Sequence, residues 1–317
     1  MDIDVIIPIY KPDKTLFVLL DKLKSQTLPI HRIILLNTEE KYFERLTYGS
    51  RELERHKNLD VFHVSKREFD HGNTRRLGVK KSGSEIFVMM TQDAMPKDDM
   101  LLEKLIKHLG ETAAGQVAVA YARQLPAEGC SVLERFTREF NYPAKSLLKS
   151  AESLPGMGIK TFFCSNVCAA YRRDIYEELG GFVKHTIFNE DMLYAAKAVK
   201  AGYAVAYEAE AQVIHSHNYT NGQQLRRNFD LGVSQAQHPE VFQGVSSESE
   251  GKKLVKAAVS YLKKNHKGRQ LPYFYSQCFC KYLGYLLGKH YRMLPRRLIL
   301  KLTSNKEYWL KDAAPVK

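Results

Sequence analysis

Three stretches of the sequence set chemically capable side chains where an apolar run stops. They are Gln92 and Asp93 after EIFVMMT (85–91), Glu190 and Asp191 ahead of MLYAAKAVKAGY, and His215 with His217 after AVAYEAEAQVI. One carboxylate in the place of Asp93 suffices to bridge a divalent cation to two phosphate oxygens, with water filling the rest of the shell. Its neighbours Asp98 and Asp99 fit instead the first turn of a helix, where negative charge meets the positive end of the dipole. Two residues apart in a strand, His215 and His217 share a face, and neutral imidazole suits Mn²⁺ better than Mg²⁺. A carboxylate of the Glu190–Asp191 pair could accept a proton from an attacking hydroxyl. Taken singly, each feature also has a plain structural use as a polar strand end, a hydrogen-bonded histidine pair or a helix-dipole carboxylate.

The elements that must bring these groups together are legible as an alternation. DVIIPIY (4–10), HRIILLN (31–37), DVFHV (60–64), EIFVMMT, QVAVAYAR (116–123), FFCSNVCAAYRR (162–173) and the run at 204–215 read as strands. Leu16, Leu19, Leu20 and Leu23 behind a capping Asp13 predict a helix, and further helices are expected around Tyr42–Leu46, over 72–82, near 98–110 and in RRDIYEELGGF. Another should run from Asn189 as cap to Gly202 as stop. Near-continuous apolar strands alternating with helices imply an α/β fold with a mostly parallel sheet covered on both faces. Ligands collect at the carboxyl edge of such a sheet, which gathers Pro8, Tyr10, Asn37, Glu39, Asp70, His71, Gly72, Gln92, Asp93, His215 and His217. GxGxxG after the first strand and GxxxxGK[ST] are both absent, so neither a dinucleotide fold nor a P-loop is signalled.

With 317 residues and 44% hydrophobic content the chain can bury a large core, and its net charge of +13 raises the question of partners. Residues 252–317 hold 16 Lys+Arg against Glu307 and Asp312, a net +14, while the other 251 residues hold 32 against 33, a net −1. The excess is therefore confined to the tail. Within 271–300, seven aromatics and several leucines mix with cations. On a helical wheel of about 100° per residue, Lys281, Lys289 and Arg292 share one sector and Tyr275, Phe279, Tyr282 and Leu286 another. That pattern predicts a helix lying on an anionic membrane surface, ahead of simple packing on the catalytic domain and well ahead of nucleic-acid binding. The expected division is a catalytic domain over 1–245 and a basic, aromatic-rich helical region over 252–317, with SSESEG (246–251) as linker. Five cysteines without a CxxC pair, and no apolar leader ahead of the first strand, point to a reducing, cytosolic compartment. No charge-free apolar run reaches the roughly 18 residues needed to span a bilayer.

In order and spacing, VIIPIYKP, FDHGNTRRLGVKKSGSE, TQDAMP, GGF, NEDMLYAAKAVKAGY and VIHSHNYT together resemble family 2 glycosyltransferases of the GT-A fold, over roughly residues 2–235. The FDHGNTRR, TQDAMP and HSHNYT variants are most similar to bacterial rhamnosyltransferases of cell-surface polysaccharide synthesis. The resemblance implies Asp93 as metal ligand, although Gln92 and Ala94 stand where a second carboxylate is usual. It implies Asp191, beside Glu190, as catalytic base, and His215, or in second place His217, as the histidine completing the metal and diphosphate site. It places Pro8, Tyr10, Glu39, Asp70, His71, Arg75 and Gln92 around the donor nucleotide, with NTEEK around Glu39 the poorest match. The implied reaction is an inverting, Mg²⁺- or Mn²⁺-dependent transfer from a nucleotide sugar, dTDP-rhamnose ahead of a UDP-sugar, to a glycan or lipid-linked acceptor. The site would then lie on the inner face of the cell membrane. A protein that only bound sugar nucleotides or nucleic acid would need no base beside a metal.

Overall fold

The computed structural model describes residues 2–244 and 247–311, which fall into two compact units. The first takes the chain up to Ala127 together with 142–185 and 190–215; the second takes 128–141, 186–189 and the chain from Ser216 onward. The boundary at Ser216 falls well before the expected division at 245.

The first unit is built on the strands β1 (Ile3–Tyr10), β2 (Arg32–Thr38), β3 (Leu59–Val64), β4 (Ile86–Met90), β5 (Met95–Pro96), β6 (Glu111–Thr112), β7 (Gly115–Leu125), β8 (Leu147–Lys149), β9 (Cys168–Arg172) and β10 (Ala204–Ile214). Its helices are α1 (Thr15–Lys24), α2 (Glu40–Thr47), α3 (His71–Lys81), α4 (Leu101–Ile106), α6 (Leu154–Met157), α7 (Arg173–Glu178) and α8 (Glu190–Lys200), α5 belonging to the second unit. The strand order is β3-β2-β1-β4-β9-β7-β10-β5, with β6 beside β7 and β8 beside β10.

Alternate residues of β1 face opposite layers, as a strand requires. Ile3, Val5, Ile7 and Ile9 are buried with Leu16, Leu19, Leu20 and Leu23 of α1 and Leu101, Leu102 and Leu105 of α4. Each such side chain, fully withdrawn from water, stabilises the fold by roughly 1.5–3 kcal/mol. On the other face α3 lies so close that a Cβ on Gly78 would come within 2.4 Å of Ile6 and 2.8 Å of Leu36, so only glycine fits there.

Strand direction positions the site. β1, β2, β3 and β4 are parallel, but β9 runs antiparallel to both β4 and β7, with Met90 opposite Cys168. β7 and β10 are parallel to each other, with Leu125 opposite Ile214. The carboxyl ends of β4, β7 and β10 and the amino end of β9 therefore share one edge.

The second unit contains α5 (Val132–Asn141), α9 (Asn221–Gln237), α10 (Pro239–Phe242), α11 (Ser247–Lys264), α12 (Leu271–Lys289), α13 (Arg296–Leu302) and α14 (Lys306–Lys311). α9 and α12 pack backbone to backbone. A Cβ on Gly288 would meet the Phe229 carbonyl at 2.1 Å, and one on Gly284 the Leu225 carbonyl at 2.2 Å. Asp230 of α9 is buried and accepts from Thr303 Oγ1 at 2.6 Å and Ser304 N–H at 2.8 Å.

Two expectations are corrected here. Most of the proposed linker is helix, because residues 247–251 open α11; polar and acidic residues that resemble a linker also suit a helix start. Residues 245 and 246 lie outside those described. The cationic sector drawn for the tail helix also does not form, since α12 stops at Lys289, Arg292 lies in the following turn, and Lys281 is half-buried, which lowers its ammonium pKa. The aromatic sector does face outward, with Tyr275 51%, Phe279 64% and Tyr282 53% exposed.

Candidate active site

Asp93 occupies a tight turn just past β4, closed by a hydrogen bond from Ala94 N–H to the Thr91 carbonyl at 3.1 Å. Its Oδ2 is 3.5 Å from Nε2 of His215, the residue that follows β10. The other ring nitrogen, Nδ1, lies 2.9 Å from Oε1 of the buried Gln124, an acceptor, which selects the neutral tautomer with the proton on Nδ1 and the Nε2 lone pair toward Asp93. A hard carboxylate oxygen facing an imidazole nitrogen with a free lone pair is a donor set that fits Mn²⁺ or, less well, Mg²⁺.

Gln92 explains the missing second carboxylate. Its Oε1 accepts from Tyr10 N–H at 2.9 Å and its Nε2 donates to the Tyr10 carbonyl at 3.1 Å, tying the end of β1 to the turn. A carboxylate there could accept but not donate. Asp98 takes the helix-start role expected of it, accepting from Met100 N–H at 3.0 Å and pairing with Lys104 at 2.9 Å ahead of α4.

Glu190 and Asp191 open α8, the first buried and the second partly so. Arg75 Nε lies 3.1 Å from Glu190 Oε1 and His71 Nδ1 4.0 Å from its Oε2, while Asn166 Nδ2 donates to Oε1 at 3.0 Å. Burial pushes the Glu190 carboxyl up, but Arg75, His71 and Asn166 outweigh it and hold it below the usual range. Asp191 has no such cation pressed against it. Burial first, then the charge on Glu190, push it up to about 7, against backbone N–H groups of Asn166 and Met192 that donate to its two oxygens at 2.9 and 2.8 Å. Two adjacent carboxylates are thus driven apart: Glu190 is held toward its charged form and Asp191 can exchange a proton near neutrality.

The Ser165–Asn166 pair joins these two groups. Ser165 Oγ accepts from Gln124 Nε2 at 2.9 Å, and Gln124 in turn orients His215; Asn166, the next residue, holds both carboxylates of α8. Neither residue, nor Gln124, stood out in the sequence, although a polar Ser-Asn pair inside the apolar run FFCSNVCAAY was a usable signal.

The remaining sequence-predicted residues divide in two. Pro8, Tyr10 and Glu39 sit at the carboxyl ends of β1 and β2, where Tyr10 is exposed and meets Tyr42 edge-on at 5.7 Å, and Glu39 Oε1 accepts from Lys66 N–H at 2.6 Å. Asp70, by contrast, is a buried cap of α3, accepting from Gly72 and Asn73 N–H at 2.9 and 3.0 Å and pairing with His185 at 2.8 Å. Burial opposes its charge, but His185 and these N–H groups outweigh it and hold its carboxyl below the usual range. Arg75 and His71 turn to Glu190. His217 belongs to the second unit, where its N–H donates to Glu134 at 3.0 Å and its ring stacks on Tyr219 at 4.9 Å. Asn189, expected as a cap, has a left-handed φ of 66° and spends its amide N–H on Ser234 Oγ at 3.3 Å.

Comparison with known proteins gives the family and the fold. The family model for glycosyl transferase family 2 matches residues 4–180. The chain is 38% identical over 313 residues to the O-antigen chain rhamnosyltransferase RfbN of Salmonella typhimurium, covering 98% of this chain and 96% of that protein. It is 40% identical over 254 residues to the O-antigen chain rhamnosyltransferase WbaN of Salmonella anatum, covering 79% of each. Among solved structures, the mannosyltransferase PcManGT of Pyrobaculum calidifontis, in complex with GDP-Man and Mn²⁺, superposes with a TM-score of 0.54 at 16% identity, covering 92% of this chain and 86% of that one. The fold is GT-A.

Proposed function

The chain belongs to glycosyl transferase family 2 and is a glycosyltransferase, and on that premise we propose that it moves L-rhamnose from dTDP-rhamnose to a hydroxyl of a lipid-linked or polysaccharide acceptor, with inversion. The carrying observation is the divided carboxylate pair at the head of α8, linked through Asn166, Ser165 and Gln124 to His215 and Asp93. The rhamnosyl donor is supported by the two O-antigen relatives.

Asp191 takes the proton of the acceptor hydroxyl as that oxygen attacks the anomeric carbon opposite the nucleoside diphosphate. The new C–O bond forms as the bond to the diphosphate breaks, which inverts the configuration. Glu190, kept charged by Arg75, raises the basicity of Asp191 without exchanging its own proton. Pro8, Tyr10, Glu39 and Gln92 line the strand ends that receive the nucleotide, and the open Tyr10 ring offers the base a stacking surface. Asp93 and His215, with His217 as the alternative histidine, would hold Mn²⁺ or Mg²⁺. When bound, the ion supplies positive charge against the departing diphosphate. The test is turnover across a panel of nucleotide sugars with Mn²⁺ or Mg²⁺. Consumption of dTDP-rhamnose with UDP-hexoses inert is expected; the reverse would sink the rhamnosyl assignment.

The second unit carries the partner surface. Among the described residues no helix is long and apolar enough to cross a membrane. The outward aromatics of α12, and exposed Lys289, Arg292, Arg296, Arg297 and Lys301, suit a peripheral seat on anionic lipid at the cytoplasmic leaflet. Flotation with vesicles containing about 30% phosphatidylglycerol is expected, with loss in neutral vesicles and in Phe279→Ser/Tyr282→Ser, whereas equal recovery from both vesicle types would refute the membrane seat.

A further inference from the structure

We propose that Asn166 is a positioning residue that divides the labour of the two carboxylates: its side-chain amide keeps Glu190 the charged member, and its backbone N–H orients Asp191 as the member that exchanges a proton. This inference rests on Asp191 being the base.

Asn166 is buried, and each polar atom of its side chain has a partner. Oδ1 accepts from Tyr171 O–H at 2.6 Å and Nδ2 donates to Glu190 Oε1 at 3.0 Å. Turning the amide by half a turn would set its oxygen against the carboxylate of Glu190, which can only accept, so the Glu190 contact determines the orientation. The ring of Tyr171, whose O–H suits either arrangement, is buried and stacked on Phe87 with centroids 5.1 Å apart and planes 6° from parallel. The contact to Asp191 comes from a different group, the backbone N–H of Asn166 on Oδ2 at 2.9 Å. A side-chain substitution therefore removes the donor to Glu190 and leaves the one to Asp191.

The other titratable groups facing the pair are Arg75 and His71 from α3, and Cys164 and Tyr171 from the segment leading into and through β9. Of these described groups Arg75 and His71 can carry positive charge; both lie against Glu190, at 3.1 and 4.0 Å, and Arg75 also favours the charged form of Asp191, as the last of the influences on it. Asn166 adds a neutral side-chain donor to Glu190, beside the backbone N–H of Glu190 itself. Without it, Glu190 competes with Asp191 for the proton that the pair takes up as the pH falls.

The test is a pH titration of the ¹³C-labelled carboxyl groups, assigned with Glu190→Gln and Asp191→Asn. In the wild type, Asp191 should titrate while Glu190 remains ionised. In Asn166→Ala, and in Asn166→Leu, which is close in size and removes the donor without adding a charge, the Glu190 midpoint should rise by about one pH unit or more. If Asn166→Ala does not fold, Asn166→Leu carries the same test. A Glu190 curve unmoved in a folded variant overturns the role of Asn166. The titration is read without substrate, so that outcome is separate from an active Asp191→Asn, which would instead remove the base.

Discussion

Asp191→Asn folds, binds the nucleotide donor and transfers sugar about 10²–10⁴-fold more slowly than the wild type, the range expected when a positioned proton acceptor is lost. The substitution keeps the side-chain outline. Of the two backbone N–H donors that now serve Asp191, one still finds an oxygen, and the loss of the other is offset by removing a buried charge. Melting transitions are therefore expected to stay close to wild type, which separates chemistry from unfolding. The wild-type pH profile should carry the same signature. A base must be ionised to act, and burial with the charge on Glu190 raises Asp191 to about 7. Turnover is then full above that pH and falls about tenfold per unit below it. The stability sign is the opposite: folded Asp191 holds its proton at a pH where the unfolded chain has released it, so its contribution to stability declines as pH rises from about 4 toward 7. Near-wild-type turnover in folded Asp191→Asn would require another base.

Asp93→Ala is expected to abolish the response to Mn²⁺ and to cut transfer by about 10²–10³-fold, the scale associated with removing one preorganised stabiliser of developing charge. Donor affinity should weaken with it, because an ion shared with the diphosphate contributes to binding as well as to departure. Asp93 is 44% exposed at its side chain and its backbone sits in a turn closed by other residues, so thermal stability should hardly change. Initial rates against Mn²⁺ concentration, with chelator-treated wild type as reference, make the comparison. Undiminished stimulation in the variant would move the metal away from Asp93.

Much of this site was readable from the chain because its members announce themselves at the ends of apolar runs. Asp93 ends the stretch before a turn, Glu190 and Asp191 precede an unmistakable helix, and His215 closes a strand. What connects them was not readable. An apolar run carries no mark of its direction, and Asn166 and Ser165 reach the carboxyl edge only because β9 is inserted antiparallel between β4 and β7. Gln124 is at the same edge for the complementary reason, β7 being reversed again. Arg75 illustrates a related limit: its place in FDHGNTRR resembles a nucleotide contact, yet its guanidinium is directed to Glu190.

The tail shows the same division at the level of a helix. Periodicity separated an aromatic face from a cationic one in α12, but could not say which face would be covered. Gly284 and Gly288 decided that by letting α9 approach to backbone contact, which left Tyr275, Phe279 and Tyr282 in solvent and Lys281 half-buried.

Hydrophobic period, residue type and charge are local properties, so the alternation of strands and helices, the carboxylates and imidazole able to do the chemistry, and the confinement of excess positive charge to the last 66 residues could all be read along the chain. The fold had to add that Glu190 is held charged while Asp191 can exchange a proton, that Gln124 selects the His215 tautomer, and that Asn166 serves both carboxylates. Proton affinity depends on burial and on neighbours brought from 25 to more than 100 residues away, and no short stretch of chain contains that information.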